Sequence, residues 1–86
     1  MPEISRFYGI IIKMFFGDHA PPHFHVEYGE HQAVIRIHTL GLIAGRLPPR
    51  VMGMVAEWAC VHQDELLADW ERATQLEPLE RVDPLP

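Results

Sequence analysis

Three histidines, His19, His23 and His25, lie close together in the N-terminal half of the sequence. Imidazole titrates near neutral pH, so it can serve as a general acid, a general base or a metal ligand. Two prolines precede His23, and each restricts its own backbone and favours extended geometry in the residue before it. We therefore expect a stiff loop that delivers His23 to a defined place, with all three histidines as candidate site residues.

The residues that follow the prolines alternate between polar and apolar types. Successive side chains of a strand point to opposite faces, so this alternation predicts a strand with one buried face. The two faces consist of His23, His25 and Glu27 on one side, and Phe24, Val26 and Tyr28 on the other. We assign the apolar face to the core and the polar face to chemistry or to a partner.

A glycine at position 29 predicts a tight hairpin turn into a second alternating run over residues 33–38. A two-residue turn at 29–30 sets the register of this hairpin. The resulting pairs are His23 with Arg36, Phe24 with Ile35, His25 with Val34, and Val26 with Ala33. A slip by one residue would place apolar side chains opposite polar ones, so the pattern favours this register. Arg36 is therefore expected beside His23 on the polar face.

A metal centre is one interpretation of the polar face. Its ligands would be His19, His23 and His25, with Glu27 or His38 as alternative third ligands, and a further position would stay open to water. A divalent transition metal such as zinc suits imidazole ligands. The sequence has neither paired cysteines nor a His-Glu-x-x-His motif, so this interpretation depends on the histidine spacing alone.

Metal-independent cleavage of RNA is a second interpretation, and it requires no cofactor. An imidazole base would take the proton of the ribose 2′-OH, an imidazole acid would protonate the leaving oxygen, and a guanidinium would stabilise the phosphorane charge. The predicted catalytic residues are His19, His23, His25 and Arg36. The predicted substrate-binding residues are Lys13, His38 and Arg46. A third interpretation has the histidines as ordinary surface residues of a strand.

The elements that must position these residues indicate an α+β fold in a single domain over residues 1–86. Residues 1–48 are rich in strand patterns and predict a small, mainly antiparallel sheet of about four strands. The first of these strands is predicted over residues 5–16 and the last over 42–47. In the last strand, Ile43 and Leu47 are assigned to the core side.

A long C-terminal helix over residues 49–75 is predicted to cover one face of the sheet. It begins at consecutive prolines, which the first turn of a helix tolerates. Its apolar stripe changes phase near His62, so the helix is expected to bend or restart there. Trp58 and Trp70 are assigned to the core. Residues 76–86 contain three prolines and predict an extended tail, with 79–82 as a short edge strand.

Composition and charge favour a small soluble protein. The chain has 86 residues, 48% of them hydrophobic and 22% charged, with a net charge of -5. Residues 1–50 carry five arginine or lysine residues against four acidic ones, whereas residues 51–86 carry two against eight. No apolar run is long enough to span a bilayer and no basic segment begins the chain, so we expect a cytoplasmic protein without membrane contact. Cys60 stands alone, which excludes an internal disulfide.

Three stretches carry a resemblance to a known family. They are residues 1–14, the box Asp18-His19-Ala20-Pro21-Pro22-His23-Phe24-His25 with the following Tyr28-Gly29, and the helical residues 57–58 and 65–70. Together they are similar to a family of small bacterial proteins described as a domain of unknown function. Members of that family sit beside a gene for another small protein, and the pair resembles a toxin-antitoxin module. The resemblance implies a toxin-like protein held in check by a small antitoxin-like partner, and it assigns no catalytic residues.

The favoured function is therefore a toxin-like protein that acts on RNA through its polar face. A non-enzymatic interaction module is the alternative from another class. In that alternative the sheet edge or the open face binds a protein partner, and the histidines tune the contact with pH. The apolar reverse side of the first strand, around Phe7 and Phe15, is a candidate seam for a homodimer.

Overall fold

Within residues 3–86, which the computed structural model describes, the chain forms five strands and two helices. In chain order these are β1 (Glu3–Phe7), β2 (Ile10–Lys13), β3 (His23–Tyr28), β4 (His31–Arg36), β5 (Leu42–Gly45), α1 (Pro49–Val61) and α2 (Gln63–Thr74). The predicted α+β class is confirmed. Met1 and Pro2, which open the first stretch of the family resemblance, lie outside the described residues.

Each strand pairs with the next one along the chain, so the sheet order is β1-β2-β3-β4-β5 and every pair is antiparallel. The predicted count of about four strands is wrong by one, because residues 5–16 form two strands instead of one. The chain turns at Tyr8 and Gly9, whose φ angles of 51° and 77° are those of a tight hairpin turn. Tyr8 is 61% exposed as a result.

The hairpin of β3 and β4 has the register that the sequence predicts. The confirmed pairs are His23 with Arg36, Phe24 with Ile35, His25 with Val34, and Val26 with Ala33. One face of these strands is buried and belongs to the core, as Phe24 and Ile35 show. We call the opposite face the histidine face. Its members are Lys13 of β2, which pairs directly with His25, and His23, His25, Glu27, Val34 and Arg36.

The last strand is shorter than predicted, and its register to β4 shifts between Val34 and Ile35. An irregularity of this kind interrupts the alternation of side chains. Ile43 is consequently exposed instead of joining the core, whereas Leu47 is buried as predicted. Gly45 permits the close approach of β5 to β4, because a Cβ atom there would lie 2.0 Å from the carbonyl oxygen of Gln32.

Two helices replace the single long helix that the sequence predicts, so of the two alternatives expected near His62, a bend or a restart, the structure has the restart. The end of α1 and the start of α2 coincide at His62, whose φ and ψ of -111° and 22° depart from helical values. The phase change of the apolar stripe therefore gives the position of the interruption. It is confined to His62, whose N–H still donates to the Trp58 carbonyl at 3.2 Å and whose carbonyl still accepts from the Leu66 N–H at 2.9 Å. Trp58 and Trp70, one in each helix, are buried, which confirms them as core residues. Within residues 3–86, neither helix has the length and apolar character to cross a membrane.

Residues 77–86 have no regular secondary structure, so the edge strand predicted over residues 79–82 does not form. Individual hydrogen bonds hold this tail instead. The Val82 N–H donates to the Ile4 carbonyl at 2.8 Å, and the Trp58 Nε1–H donates to the Asp83 carbonyl at 2.7 Å. Since Val82 is buried, the tail closes the core beside β1.

Candidate metal centre

The histidine face carries three potential ligands at the point where β3 begins. Asp18, in the loop between β2 and β3, places Oδ2 2.8 Å from Nε2 of His23 and 3.2 Å from Nε2 of His25. The ligand atoms of Asp18, His23 and His25, which we call the cluster, all lie within 4.8 Å of one another. One carboxylate oxygen is therefore shared by two imidazoles.

Local structure explains why the three side chains meet. His23 and His25 are two residues apart in β3, so their rings project from the same face, and the ring centroids are 5.2 Å apart. The loop brings Asp18 back over these rings. The loop is tied to α2 through the Gly17 N–H, which donates to the Ala73 carbonyl at 3.2 Å. Sheet, loop and second helix together position the cluster.

His23 is held on both sides and is only 8% exposed. Its Nδ1 lies 2.7 Å from the carbonyl oxygen of Pro21, and the peptide bond between Ala20 and Pro21 is cis. Because a carbonyl oxygen only accepts hydrogen bonds, Nδ1 carries a proton and donates it to Pro21. The ring also lies 5.0 Å from that of Trp70. Packing and this hydrogen bond therefore direct Nε2 towards Asp18.

His25 is more open to solvent than His23. The His25 side chain is 28% exposed, against 10% for the side chain of His23. Its ring packs edge-on against Phe15, with ring centroids 4.6 Å apart. The cluster is therefore accessible from the side of His25, and Phe15 forms one wall of the approach.

Hydrogen bonds keep the carboxyl group of Asp18 ionised. Partial burial by itself raises the pKa of Asp18, but hydrogen bonds from His25, from His23 and from the His19 N–H outweigh it, so the pKa lies below its ordinary value. The His19 N–H donates to Oδ1 at 3.0 Å, which leaves Oδ2 for the two imidazoles. At neutral pH a carboxylate and two imidazole nitrogens therefore converge on one point.

These ligand types and distances fit a first-row transition metal ion. Ligand atoms about 2.0–2.1 Å from a tetrahedral zinc ion are roughly 3.3 Å apart. The contact of Asp18 Oδ2 with Nε2 of His25, 3.2 Å, is close to that separation, and the contact with Nε2 of His23, 2.8 Å, is shorter. The Pro21 carbonyl behind His23 is the kind of acceptor that orients a ligating imidazole. Three protein ligands leave at least one coordination position for water or another molecule.

The sequence predicts the histidines of the cluster and misses its carboxylate. His23 and His25 lie together as expected, whereas His19 is exposed and its ring is not one of the converging groups. Asp18 takes the position that was assigned to His19. Asp18 is separated from His23 by a short loop that contains two prolines. This position before the loop is the feature that could have indicated its role.

The predicted cationic residues have different surroundings. Arg36 is half-buried on the histidine face, opposite the first residue of β3. The Lys13 ammonium lies 2.9 Å from Oε2 of Glu27, which neutralises it. His38 and Arg46 are exposed and lie beyond the ends of β4 and β5. Of the predicted cations, Arg36 is therefore the one placed to act beside the cluster.

A groove of about 310 Å³ opens beside His25. The residues that line it come from β3, β4, β5 and the loop after β2, and include Phe15, His25, Glu27, Gln32, Val34 and Ala44. Small residues in β5, Ala44 and Gly45, leave this space, because larger side chains there would fill it. The sequence does not predict the groove, since the register of β5 depends on an irregularity.

Comparison with known proteins places the chain in a family. A family model described as Domain of unknown function (DUF4160) matches residues 9–71, a range that contains the cluster, Arg36 and the groove. No curated protein and no solved structure matches the chain. The toxin-antitoxin pairing, the RNA substrate and the cytoplasmic location stay predictions. With well over half of its residues matched, the chain belongs to the family described as Domain of unknown function (DUF4160).

Proposed function

We propose that the protein binds one divalent transition metal ion, with zinc as the first candidate, through Asp18, His23 and His25. The observation that carries the proposal is the convergence of Oδ2 and two Nε2 atoms, with contacts of 2.8 and 3.2 Å. Asp18 comes from the loop between β2 and β3, and the two histidines come from β3. The hydrogen bond from the Gly17 N–H to the Ala73 carbonyl holds this loop against α2. An ion with an open coordination position supplies Lewis acidity or an activated water when bound.

The hydrogen bonds of His23 support a cation in the cluster. Nδ1 donates to the Pro21 carbonyl, so the neutral ring has a lone pair on Nε2. That lone pair would face the Asp18 oxygen at 2.8 Å, which is an unfavourable contact between two acceptors. Either a proton or a metal ion between these two atoms removes the conflict.

His25 would be the third ligand of the same ion. Nε2 of His25 faces the same Asp18 oxygen at 3.2 Å, so a cluster without metal needs two imidazole N–H groups on one oxygen. A single ion replaces both protons and uses all three groups as ligands. Each group then has the protonation state that metal binding requires, an ionised carboxylate and neutral imidazoles.

The same contacts disfavour the metal-independent ribonuclease that the sequence predicts. A general base needs a free lone pair, and a general acid must give its proton to the substrate. Both nitrogens of His23 face acceptors of the protein, and the residue is buried, so His23 is poorly placed for either role. An RNA substrate and a small antitoxin-like partner remain proposals that come from the family resemblance.

Metal analysis of protein purified without a histidine tag tests the proposal. We expect about one transition metal ion per chain after incubation with zinc and removal of the excess. In calorimetric titrations, Asp18→Ala and His25→Ala should each weaken zinc binding by more than the roughly 10- to 100-fold that loss of an orienting residue causes.

His19→Ala is the matched control, because His19 follows Asp18 in the chain and its exposed ring lies outside the cluster. Its backbone N–H, which donates to Asp18, is unchanged by the substitution. Zinc binding should therefore keep its wild-type affinity. Failure of the wild-type chain to bind stoichiometric zinc, or an equal loss in the control, would contradict the proposal. Circular dichroism without metal verifies the fold of each variant.

A further inference from the structure

We infer that Arg36 makes the cluster a site for a phosphate-bearing ligand, whose attached organic group lies in the adjoining groove. The inference rests on the proposed metal centre, because the ion and Arg36 would share the oxygens of the phosphate. The expected ligand is a phosphate ester with a small and weakly polar attached group.

Arg36 differs from the other cations of residues 3–86. It is half-buried, and its side chain makes neither an ion pair nor a hydrogen bond with the described residues. Two other cations have similarly shielded side chains, and both are neutralised: Lys13, 14% exposed, by Glu27, and Arg72, 31% exposed, by Asp69. A partly desolvated guanidinium without a counterion is unfavourable. We therefore expect Arg36 to bind an anion from solution.

The place of Arg36 in the sheet puts it beside the cluster. Arg36 pairs directly with His23 across β3 and β4. Directly opposed residues of neighbouring antiparallel strands have Cβ atoms about 4.5–5.5 Å apart. His23 in turn contacts the carboxylate of Asp18 at 2.8 Å. An anion bound by Arg36 therefore lies within reach of an ion held in the cluster.

Phosphate fits this pair of cationic groups better than a carboxylate does. A guanidinium binds two oxygens of one anion through parallel N–H donors. A carboxylate has only two oxygens, and both are used in that arrangement. A phosphate ester has a further oxygen that can approach the metal ion at its open position. The two groups together therefore favour a phosphate.

The groove provides space for the attached group. It borders His25, and apolar atoms of Phe15, Val34 and Ala44 contribute to its lining. A volume of about 310 Å³ is at the lower end of the range for small-molecule sites. We therefore expect a single ring or a short chain in the groove.

Calorimetric titration of the zinc-loaded full chain with inorganic phosphate and with phenylphosphonate tests the inference. The wild-type protein should bind both, and it should bind phenylphosphonate more tightly because the ring enters the groove. Arg36→Gln should weaken both by roughly 10- to 100-fold, as expected for loss of hydrogen bonds between charged groups. Its zinc affinity should not change. Arg50→Gln, which removes an exposed arginine in α1, is the matched control and should change neither.

Ala44→Phe tests the groove separately from Arg36. The added ring fills the space beside His25, so phenylphosphonate should bind more weakly while inorganic phosphate keeps its affinity. Loss of affinity for both probes to the same extent, or for neither, would overturn the assignment of the groove. If Arg36→Gln does not fold, Arg36→Lys replaces it, because lysine keeps the charge and loses the planar pair of donors.

The zinc titrations separate this inference from the proposed function. Zinc binding together with equal phosphate affinities in the wild-type protein and in Arg36→Gln would overturn the inference and leave the metal centre in place. Phosphate binding that requires Arg36 in a protein that does not bind zinc would overturn the metal centre and support Arg36 as an anion site.

Discussion

Two carboxylates are held in this protein in opposite ways. Asp69 in α2 is buried, and its Oδ1 accepts hydrogen bonds from the Arg72 guanidinium at 2.7 Å and from the Glu80 N–H at 2.9 Å. The side chain of Asp18 is 28% exposed, and its Oδ2 faces two imidazoles. The donors around Asp69 keep their protons near neutral pH, whereas imidazoles can lose theirs.

This difference separates a structural carboxylate from a potential ligand. Permanent donors hold Asp69 and fasten the tail to α2, so removal of this group breaks contacts that nothing else replaces. The protons around Asp18 are exchangeable, so an ion can replace them without disrupting the backbone. We therefore expect ligand binding at Asp18, whose hydrogen bonds depend on the protonation of imidazoles. We expect the stability of the fold to depend more on Asp69.

Asp69→Ala should give the largest loss of stability. Removal of one partner from a buried ion pair costs about 3–5 kcal/mol, and we expect about 3 kcal/mol because Arg72 is partly exposed and regains water. Urea denaturation without metal measures the loss. Asp69→Asn, which keeps an acceptor for the Glu80 N–H, should lose less. A loss of about 1 kcal/mol or less in Asp69→Ala, typical of exposed pairs, would remove the distinction between the two carboxylates.

Zinc should stabilise the wild-type chain and not Asp18→Ala. At a free concentration ten times the Kd, a ligand that binds only the folded state adds about 1.4 kcal/mol to the free energy of unfolding. Urea denaturation with and without zinc measures this difference. Without zinc, Asp18→Ala should differ from the wild-type protein by about 1 kcal/mol or less, since it loses hydrogen bonds near the surface. Equal stabilisation of both proteins by zinc would show that the ion binds elsewhere.

Glu3, a third carboxylate, should give the smallest effect, and it depends on pH. A hydrogen bond from Arg6, opposed by partial desolvation and assisted by Arg81, lowers the pKa of Glu3 from 4.5 to about 2. A lowered pKa stabilises the folded state while the group is ionised, so the contribution is complete above pH 4.5 and is lost as the pH falls towards 2. The effect is small because both arginine side chains are exposed.

Comparison of the wild-type protein with Glu3→Gln tests this dependence. The wild-type chain should be slightly more stable in urea denaturation at about pH 6, and the difference should shrink on acidification towards about pH 2.5. A stability difference that does not change with pH would contradict the assignment of the lowered pKa to Glu3.

The hairpin of β3 and β4 can be predicted from the sequence because local rules determine it. Only one register joins the apolar side chains of both strands, and Gly29, with a φ of 56°, supplies the turn. The interruption of the helical region at His62 can be predicted for a similar reason, since the apolar stripe changes phase there. Arg36 is placed beside His23 by the register alone.

The features that the sequence does not predict depend on unusual backbone geometry or on contacts between distant residues. Tyr8 adopts a φ of 51°, which a bulky residue rarely does, so its type does not indicate the turn between β1 and β2. The shift between Val34 and Ile35 exposes Ile43 without a marker in the sequence. Asp18 joins the cluster only because its loop folds back over β3. Its place before the prolines makes it a candidate, but the alternation of a strand does not determine the path of the loop.

The contact between His23 and Trp70 gives the cluster an optical reporter. The Trp70 ring lies 5.0 Å from that of His23, whereas Trp58 packs against Phe7 and Phe24 in the core. Paramagnetic ions such as Co²⁺ and Cu²⁺ quench indole emission at short range. In a Trp58→Phe variant, fluorescence would therefore follow occupancy of the cluster without any added dye.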